Sequence, residues 1–242
     1  MDFTFGIITA GNSDNFITEI IKSIENNNIP NYEIIIVGNS KIPVTKNTRV
    51  IEFDESIKPA WITRKKNIIT ENAIYENICF LHDYVKLDEG WYEGFLQFGN
   101  DYDWGVTKIF NKDGTRFRDY TFHPLGYGNF SSPGTDIHPY FDANCLLPYD
   151  FVNNINVNKY LYISGAYYFM KKKVAMTHKL DEKLIHGWAE DREISGRLHR
   201  NNILIKCNKF SSVSFLKQQC SGCWEKEMNE EMTNYLIQWS KM

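Results

Sequence analysis

Several clusters of residues in this 242-residue chain have types and spacing suited to chemistry. Leu81-His82-Asp83-Tyr84-Val85 places an acid just past an apolar run. There Asp83 offers a hard carboxylate oxygen and His82 an imidazole. Mg²⁺ or Mn²⁺ is typically held by one or two protein carboxylates together with substrate phosphates. The plainer reading makes Asp83 a turn cap and His82 a satisfied residue at the edge of the core. In GWAEDREISGRL (187–198), Glu190 and Asp191 are adjacent acids at an expected helix start. The helix dipole stabilises negative charge there, so capping accounts for them. A carboxylate fixed on a rigid element equally suits a general base. Thr63-Arg64-Lys65-Lys66-Asn67 sets cations near another helix start, where they face either a phosphate or solvent. Lys171-Lys172-Lys173 reads as surface. Aromatic residues crowd the stretch from Tyr120 to Tyr168. Their faces and hydroxyls suit sugar rings, and they suit a second core equally well.

These residues need elements to hold them. Phe3–Ile8, Tyr32–Val37, Thr48–Phe53 and Ile78–Leu81 read as strands. YEIIIV is apolar nearly throughout, as expected of a strand buried on both faces of a parallel sheet. Phe16, Ile17, Ile20, Ile21 and Ile24 share one face of a helical repeat, with Ser13 or Asp14 as its cap. Trp61–Ile74 forms a second helix. The order β-α-β-β-α-β describes an open α/β sheet, in which ligands bind outside the carboxyl ends of the strands. Thr9, Asn39/Ser40 and His82/Asp83 fall at those ends. Farther on we expect helices over Trp91–Phe98, Ala189–His199 and Glu225–Trp239. Strands are expected over Asp103–Phe110, Leu161–Met170 and Ile203–Cys207. Residues 111–160, rich in Gly, Pro, Asn and aromatics, read as binding loops. No repeat or linker divides the chain. One α/β domain over 1–242 is expected, with halves 1–98 and 99–242.

The composition restricts the partners. Basic and acidic residues number 27 and 30, and the pI is near 6.1. This argues against the strongly basic face typical of nucleic-acid binding and leaves room for a local basic pocket for a small anion. No apolar run approaches the roughly 18 residues of a membrane span. The first residues lack the basic and apolar regions of a signal peptide, so a cytoplasmic location is expected. Of the five cysteines, Cys220 and Cys223 form a C-x-x-C: half a zinc site, a redox pair, or two free thiols in a loop.

Taken in order, the motifs resemble a GT-A fold glycosyltransferase of the family-2-like kind. FGIITAGN is similar to that family's first strand and turn, and EIIIVGNS to its second strand, which usually ends D-D-x-S. RKKN resembles the segment before the metal motif, and ICFLHDYV sits where the family has F-L-D-x-D. YISGAYYFMKKKVA resembles the glycine-containing acceptor-side strand, and GWAEDREISGRL the E-D-x-x-x-x-x-R helix that carries the base. The resemblance covers residues 3–98 and 161–206. It departs at Gly38-Asn39-Ser40, which lacks two acids, and at His82-Asp83-Tyr84, where Asp83 is the only acid.

The resemblance implies a single GT-A-like, Rossmann-related domain with a mixed, mainly parallel sheet flanked by helices. It implies inverting transfer of a sugar from a nucleotide-diphosphate sugar to a hydroxyl of a glycan, lipid-linked or protein acceptor, by a monomer or homodimer. Asp191 would be the base and Glu190 would orient it or the acceptor. Thr9, Ala10, Gly11, Asn39, Ser40, Arg64, Lys66, Asn67, His82 and Asp83 would bind the donor. Gly165 and Trp188 would face the acceptor or sugar. Asp83 and His82 would hold Mn²⁺ or Mg²⁺. Two other functions fit parts of the pattern. A sugar-1-phosphate nucleotidyltransferase shares the sheet, but TAGNSDNF has one glycine and no cation. A non-catalytic sugar- or protein-binding module on the same scaffold accords with the altered acidic motif.

Overall fold

A computed structural model of the chain describes residues 1–122, 145–219 and 226–227. The elements run β1 (Phe3–Ile8), α1 (Asp14–Glu25), β2 (Tyr32–Val37), β3 (Thr48–Ile51), α2 (Ile62–Asn72), β4 (Asn77–His82), β5 (Val85–Leu87), α3 (Trp91–Phe98), β6 (Trp104–Phe110) and β7 (Arg116–Phe117). They continue with β8 (Tyr120–Phe122), β9 (Cys145–Leu146), α4 (Ile155–Asn158), β10 (Leu161–Ile163), β11 (Tyr167–Lys171), α5 (Lys172–Thr177), α6 (Glu190–Arg200), β12 (Lys206–Phe215) and β13 (Lys226–Glu227).

The large sheet has the order β3-β2-β1-β4-β11-β6-β12-β5, with β7 beside β6. β3, β2, β1 and β4 are parallel neighbours, as are β6 and β12. β11 runs antiparallel between β4 and β6 and joins the two halves of the chain. Residues alternate between the faces of a strand, so the sheet has two cores. On one face Phe3, Phe5 and Ile7 of β1 pack with Ile17, Ile20 and Ile24 of α1 and with Trp91 and Phe95 of α3. On the other, Ile35, Val37, Ile78 and Phe80 pack with Ile62 and Ile69 of α2 and with Ile194 and Leu198 of α6. This is the mixed α/β sheet flanked by helices that the sequence predicts. Among the described residues no helix is long and apolar enough to cross a membrane.

The structure corrects several expectations. The stretch Leu161–Met170 is two strands, separated by the turn Ser164-Gly165-Ala166. β10 leaves the large sheet and pairs with β8, while β11 enters it. The strand expected over Ile203–Cys207 begins at Lys206 and continues to Phe215, with an irregularity between Asn208 and Ser212. Lys226–Glu227, expected to begin a helix over 225–239, pairs as a strand with Cys145–Leu146. The rest of that helix, Cys220, Cys223 and the aromatic residues between 123 and 144 lie outside the described residues. Lys171 is buried rather than superficial, its ammonium donating to Asn77 Oδ1 at 2.7 Å and Asn100 Oδ1 at 2.6 Å.

Candidate active site

The carboxyl ends of β1, β2 and β4 share one edge of the sheet. Gly38 lets the first two meet: it has φ +140°, and a Cβ there would lie 2.1 Å from the Thr9 carbonyl oxygen. The Thr9 hydroxyl donates to Asp83 Oδ2 at 2.7 Å and accepts from the Gly11 amide at 3.0 Å. The Thr9 carbonyl accepts from the buried ammonium of Lys65 at 2.7 Å, and Lys65 also pairs with Glu55. Beside this edge a cavity of about 440 Å³ is lined by Ala10, Gly11, Asn39 and Ser40, with acids from Asp14 and Glu52. The Ser40 hydroxyl donates to Asp14 Oδ1 at 2.7 Å and the Lys41 amide to Asp14 Oδ2 at 3.0 Å. Asp14, the first residue of α1, and Glu52, just past β3, are the acids lining this cavity among the described residues.

Because β11 is antiparallel, its leading turn 164–166 reaches the same edge. The His82 amide donates to the Ala166 carbonyl at 3.0 Å. The Gly165 carbonyl accepts from Lys66 Nζ at 2.9 Å. A Cβ on Gly165 would lie 2.7 Å from Glu190 Oε1 and 3.4 Å from Asp191 Cβ, so glycine lets the turn press against the start of α6. Lys66 is 1 % exposed, lies over the Tyr168 ring and faces Glu190 at 4.0 Å. Burial pushes the Lys66 ammonium below its ordinary value, opposed by Glu190 and Asp191. Burial pushes the Glu190 carboxyl above its ordinary value, opposed by Lys66. Asp191 is less deeply buried and sits 3.6 Å from Arg118. His82, Gly165, Glu190 and Asp191 line one cavity of about 360 Å³, together with Tyr84, Arg118, His186 and Arg192.

The structure does not bring all the expected donor-binding residues to this edge. Arg64 pairs with Glu71 at 3.1 Å and Glu182 at 3.0 Å. Asn67 is 1 % exposed, donates to the Leu180 carbonyl and Glu182 Oε1, and accepts from the Leu180 amide. Both therefore hold the segment that leads into α6. Thr63, Lys58 and Trp61 fasten the same segment through the carbonyls of residues 182–184. Of the basic cluster, Lys66 faces the acids and Lys65 supports the Thr9 carbonyl. Trp188 lies 63 % exposed, immediately before Ala189, whose φ of +58° turns the chain into the helix. Arg118 and His186 were missed because isolated residues in irregular segments carry no pattern. Arg192 and Tyr84 do lie inside the motifs singled out, and their neighbours pointed to them.

His82 is 9 % exposed and its Nε2 is buried with no hydrogen-bond partner among the described residues. Burial, then Lys66 and His186, hold its pKa well below the ordinary value, so the imidazole is neutral and its nitrogen can donate a lone pair. Among the described residues no group of three or more His, Cys, Asp or Glu side chains converges to hold a metal. Asp83 Oδ2 accepts from the Thr9 hydroxyl, while His82 lines the cavity of Glu190 and Asp191, so a cation at Asp83 would take most of its ligands from substrate oxygens and water.

No family model matches the chain, and no curated protein sequence matches it. Solved structures do. GalNAc-T7 with UDP, GalNAc and Mn²⁺ superposes with TM-score 0.60 at 10 % identity, over 91 % of this chain and 45 % of that one. S. aureus TarS 1–349 gives 0.56 at 14 % identity, over 88 % of this chain and 60 % of that one. Its complex with UDP-GlcNAc gives 0.56 at 14 %, over 99 % and 66 %. The chain thus spans about half to two thirds of these relatives' length. The likeness establishes a GT-A-type fold.

Proposed function

We propose that the chain is an inverting glycosyltransferase of the family-2-like kind, moving a sugar from a nucleotide-diphosphate sugar to an acceptor hydroxyl. The observation that carries this is the convergence of Glu190 and Asp191 with the turn at Gly165 on the ligand-binding edge of a GT-A-type sheet. The nucleoside lies in the cavity lined by Ala10, Gly11, Asn39 and Ser40, and the diphosphate lies at Thr9 and Asp83. Asp191 Oδ2 takes the proton of the acceptor hydroxyl as that oxygen attacks the anomeric carbon from the face opposite the leaving diphosphate. Glu190, fixed by Lys66, orients the acceptor, and Trp188 offers an exposed ring to a sugar face. Asp83 and His82 would hold Mn²⁺ or Mg²⁺. When bound, such a cation neutralises charge on the diphosphate.

The test is hydrolysis and transfer of several nucleotide sugars with and without Mn²⁺, beginning with UDP and UDP sugars because the similar structures hold UDP or UDP-GlcNAc, alongside nucleotide-dependent thermal shifts. Turnover that depends on Asp191 is the expected result. Absence of both turnover and any nucleotide-dependent shift overturns the reading. A non-catalytic binding module is the second reading, favoured by Asn39 and Tyr84 standing where the family carries acids. It predicts nucleotide or sugar binding without turnover.

A further inference from the structure

We propose that the acceptor carries an anionic oxygen group, a phosphate or a carboxylate, bound by Arg118 and Arg192 beside Asp191. This rests on reading the cavity as a glycosyl-transfer site. Two guanidinium groups share one aromatic ring. Arg118 Cζ lies 4.9 Å from the centroid of Tyr162 and Arg192 Cζ 5.1 Å from it. Both donate to the Tyr162 hydroxyl, Arg192 at 3.5 Å. Tyr162 is fully buried on β10, so the ring is a fixed platform, and both arginines line the cavity that holds Glu190 and Asp191.

Among the described residues the charges around this cavity do not cancel: Lys66, Arg118, Arg192 and Lys217 exceed Glu190, Asp191 and the neighbouring Asp83 by one. Glu190 is matched by Lys66 at 4.0 Å and Asp191 by Arg118 at 3.6 Å. Arg192 forms no ion pair among the described residues; its polar contact is with Tyr162. Lys217 Nζ adds another cation, 4.2 Å from the ring of Tyr84 on the same cavity. Like charges held close together in a partly buried cavity repel more strongly than in water. An anion between them offsets that repulsion, and the guanidinium fork matches two oxygens of a phosphate or carboxylate. Hydroxyls of a neutral sugar need no such pair. The arginines flank Asp191, the group assigned to the acceptor, whereas the donor diphosphate is assigned to Thr9 and Asp83.

The test is calorimetric titration of the 242-residue chain, saturated with UDP, with glycerol 3-phosphate, glycerate and glycerol in turn. Either anion or both should bind about tenfold or more tightly than glycerol, and more weakly as salt is raised. The two anions separate phosphate from carboxylate. Arg192→Gln and, separately, Arg118→Gln should lose about tenfold of that affinity, as expected for charged hydrogen bonds. Arg192→Lys should recover it only in part, because it keeps the charge without the fork. UDP affinity, titrated alone, should be unchanged by Arg192→Gln. Equal binding of the three probes with UDP binding intact overturns this proposal and leaves the transfer reading standing. Loss of UDP affinity in the arginine variants also overturns it, by assigning the arginines to the donor. Anion binding without any nucleotide binding supports the anion site and overturns the transfer reading.

Discussion

Asp191 and Glu190 are adjacent in sequence but meet different surroundings. Glu190 is sealed against Gly165 and Lys66, while Asp191 keeps more access to the cavity. Asp191→Asn removes a proton acceptor without changing the shape of the site. Transfer should fall roughly 10²–10⁴-fold, the usual worth of general-base catalysis, with UDP affinity retained. Steady-state rates beside UDP titration check this, and an active Asp191→Asn variant would remove the base assignment. Glu190 makes a second prediction. Burial holds its carboxyl above the ordinary 4.5. Between 4.5 and the raised value the folded chain binds more protons here than the unfolded chain, so this site's contribution to stability falls as pH rises. The contribution is complete below 4.5 and is lost as pH rises through the folded value. Gln cannot titrate. The melting temperature of the wild type relative to Glu190→Gln should therefore be highest below pH 4.5 and decline toward neutrality, and the opposite trend would contradict the buried placement. Adjacent acids also occur at Asp54-Glu55, Asp88-Glu89 and Asp181-Glu182, so it is the place of Glu190 and Asp191 at an expected helix start, in a segment resembling the E-D-x-x-x-x-x-R helix, that made them legible. The burial of Lys65 and Lys66 was not legible, because their partners, the Thr9 carbonyl, Gly165 and Glu190, are far away in sequence.

The elements show the same division between local and non-local information. β1, β2 and β4 were legible from apolar runs that end in small or polar residues. β12 was read only to Cys207 because the polar pairs Asn208-Lys209 and Ser211-Ser212 interrupt the period-two alternation of a strand, and its pairing with β6 and β5 is what carries it on. LYISGAYYFM is largely apolar on both sides of Ser164-Gly165, which made it read as one strand; that pair is the turn signal at the break, and the break forms one wall of the site. The cations at the start of α2 read as facing either a phosphate or solvent. Asn67 and Arg64 instead clamp residues 180–182 ahead of α6. Asn67→Ala leaves the Leu180 amide and carbonyl without their buried partners, a loss of roughly 1–3 kcal/mol. Urea melts should show this destabilisation with an unchanged slope. UDP affinity should stay near wild type, and a selective loss of UDP affinity at full stability would return Asn67 to the donor site.

Across the whole molecule, the site depends on both halves of the chain at once. Thr9, Asn39 and Asp83 come from residues 1–98, and Gly165, Glu190 and Asp191 from residues 99–242. The halves are joined inside one sheet, with β11 hydrogen-bonded to β4 on one side and β6 on the other. Both cores also run across that seam: Phe80 packs with Tyr168 and Ile194 on one face, and Phe95 with Phe169 on the other. Neither half can bury its own side of the seam alone, so the chain should unfold as one unit. Differential scanning calorimetry is expected to give a single transition whose calorimetric and van't Hoff enthalpies agree. UDP at about a hundred times its Kd should raise stability by about 2.7 kcal/mol and move that transition as a whole. Adding Mn²⁺ should move it further, and Asp83→Ala should abolish the additional shift while leaving the transition single. Two resolved transitions, with only the first responding to UDP, would mean that the nucleotide edge folds apart from the acceptor half, contrary to a sheet that β11 makes continuous.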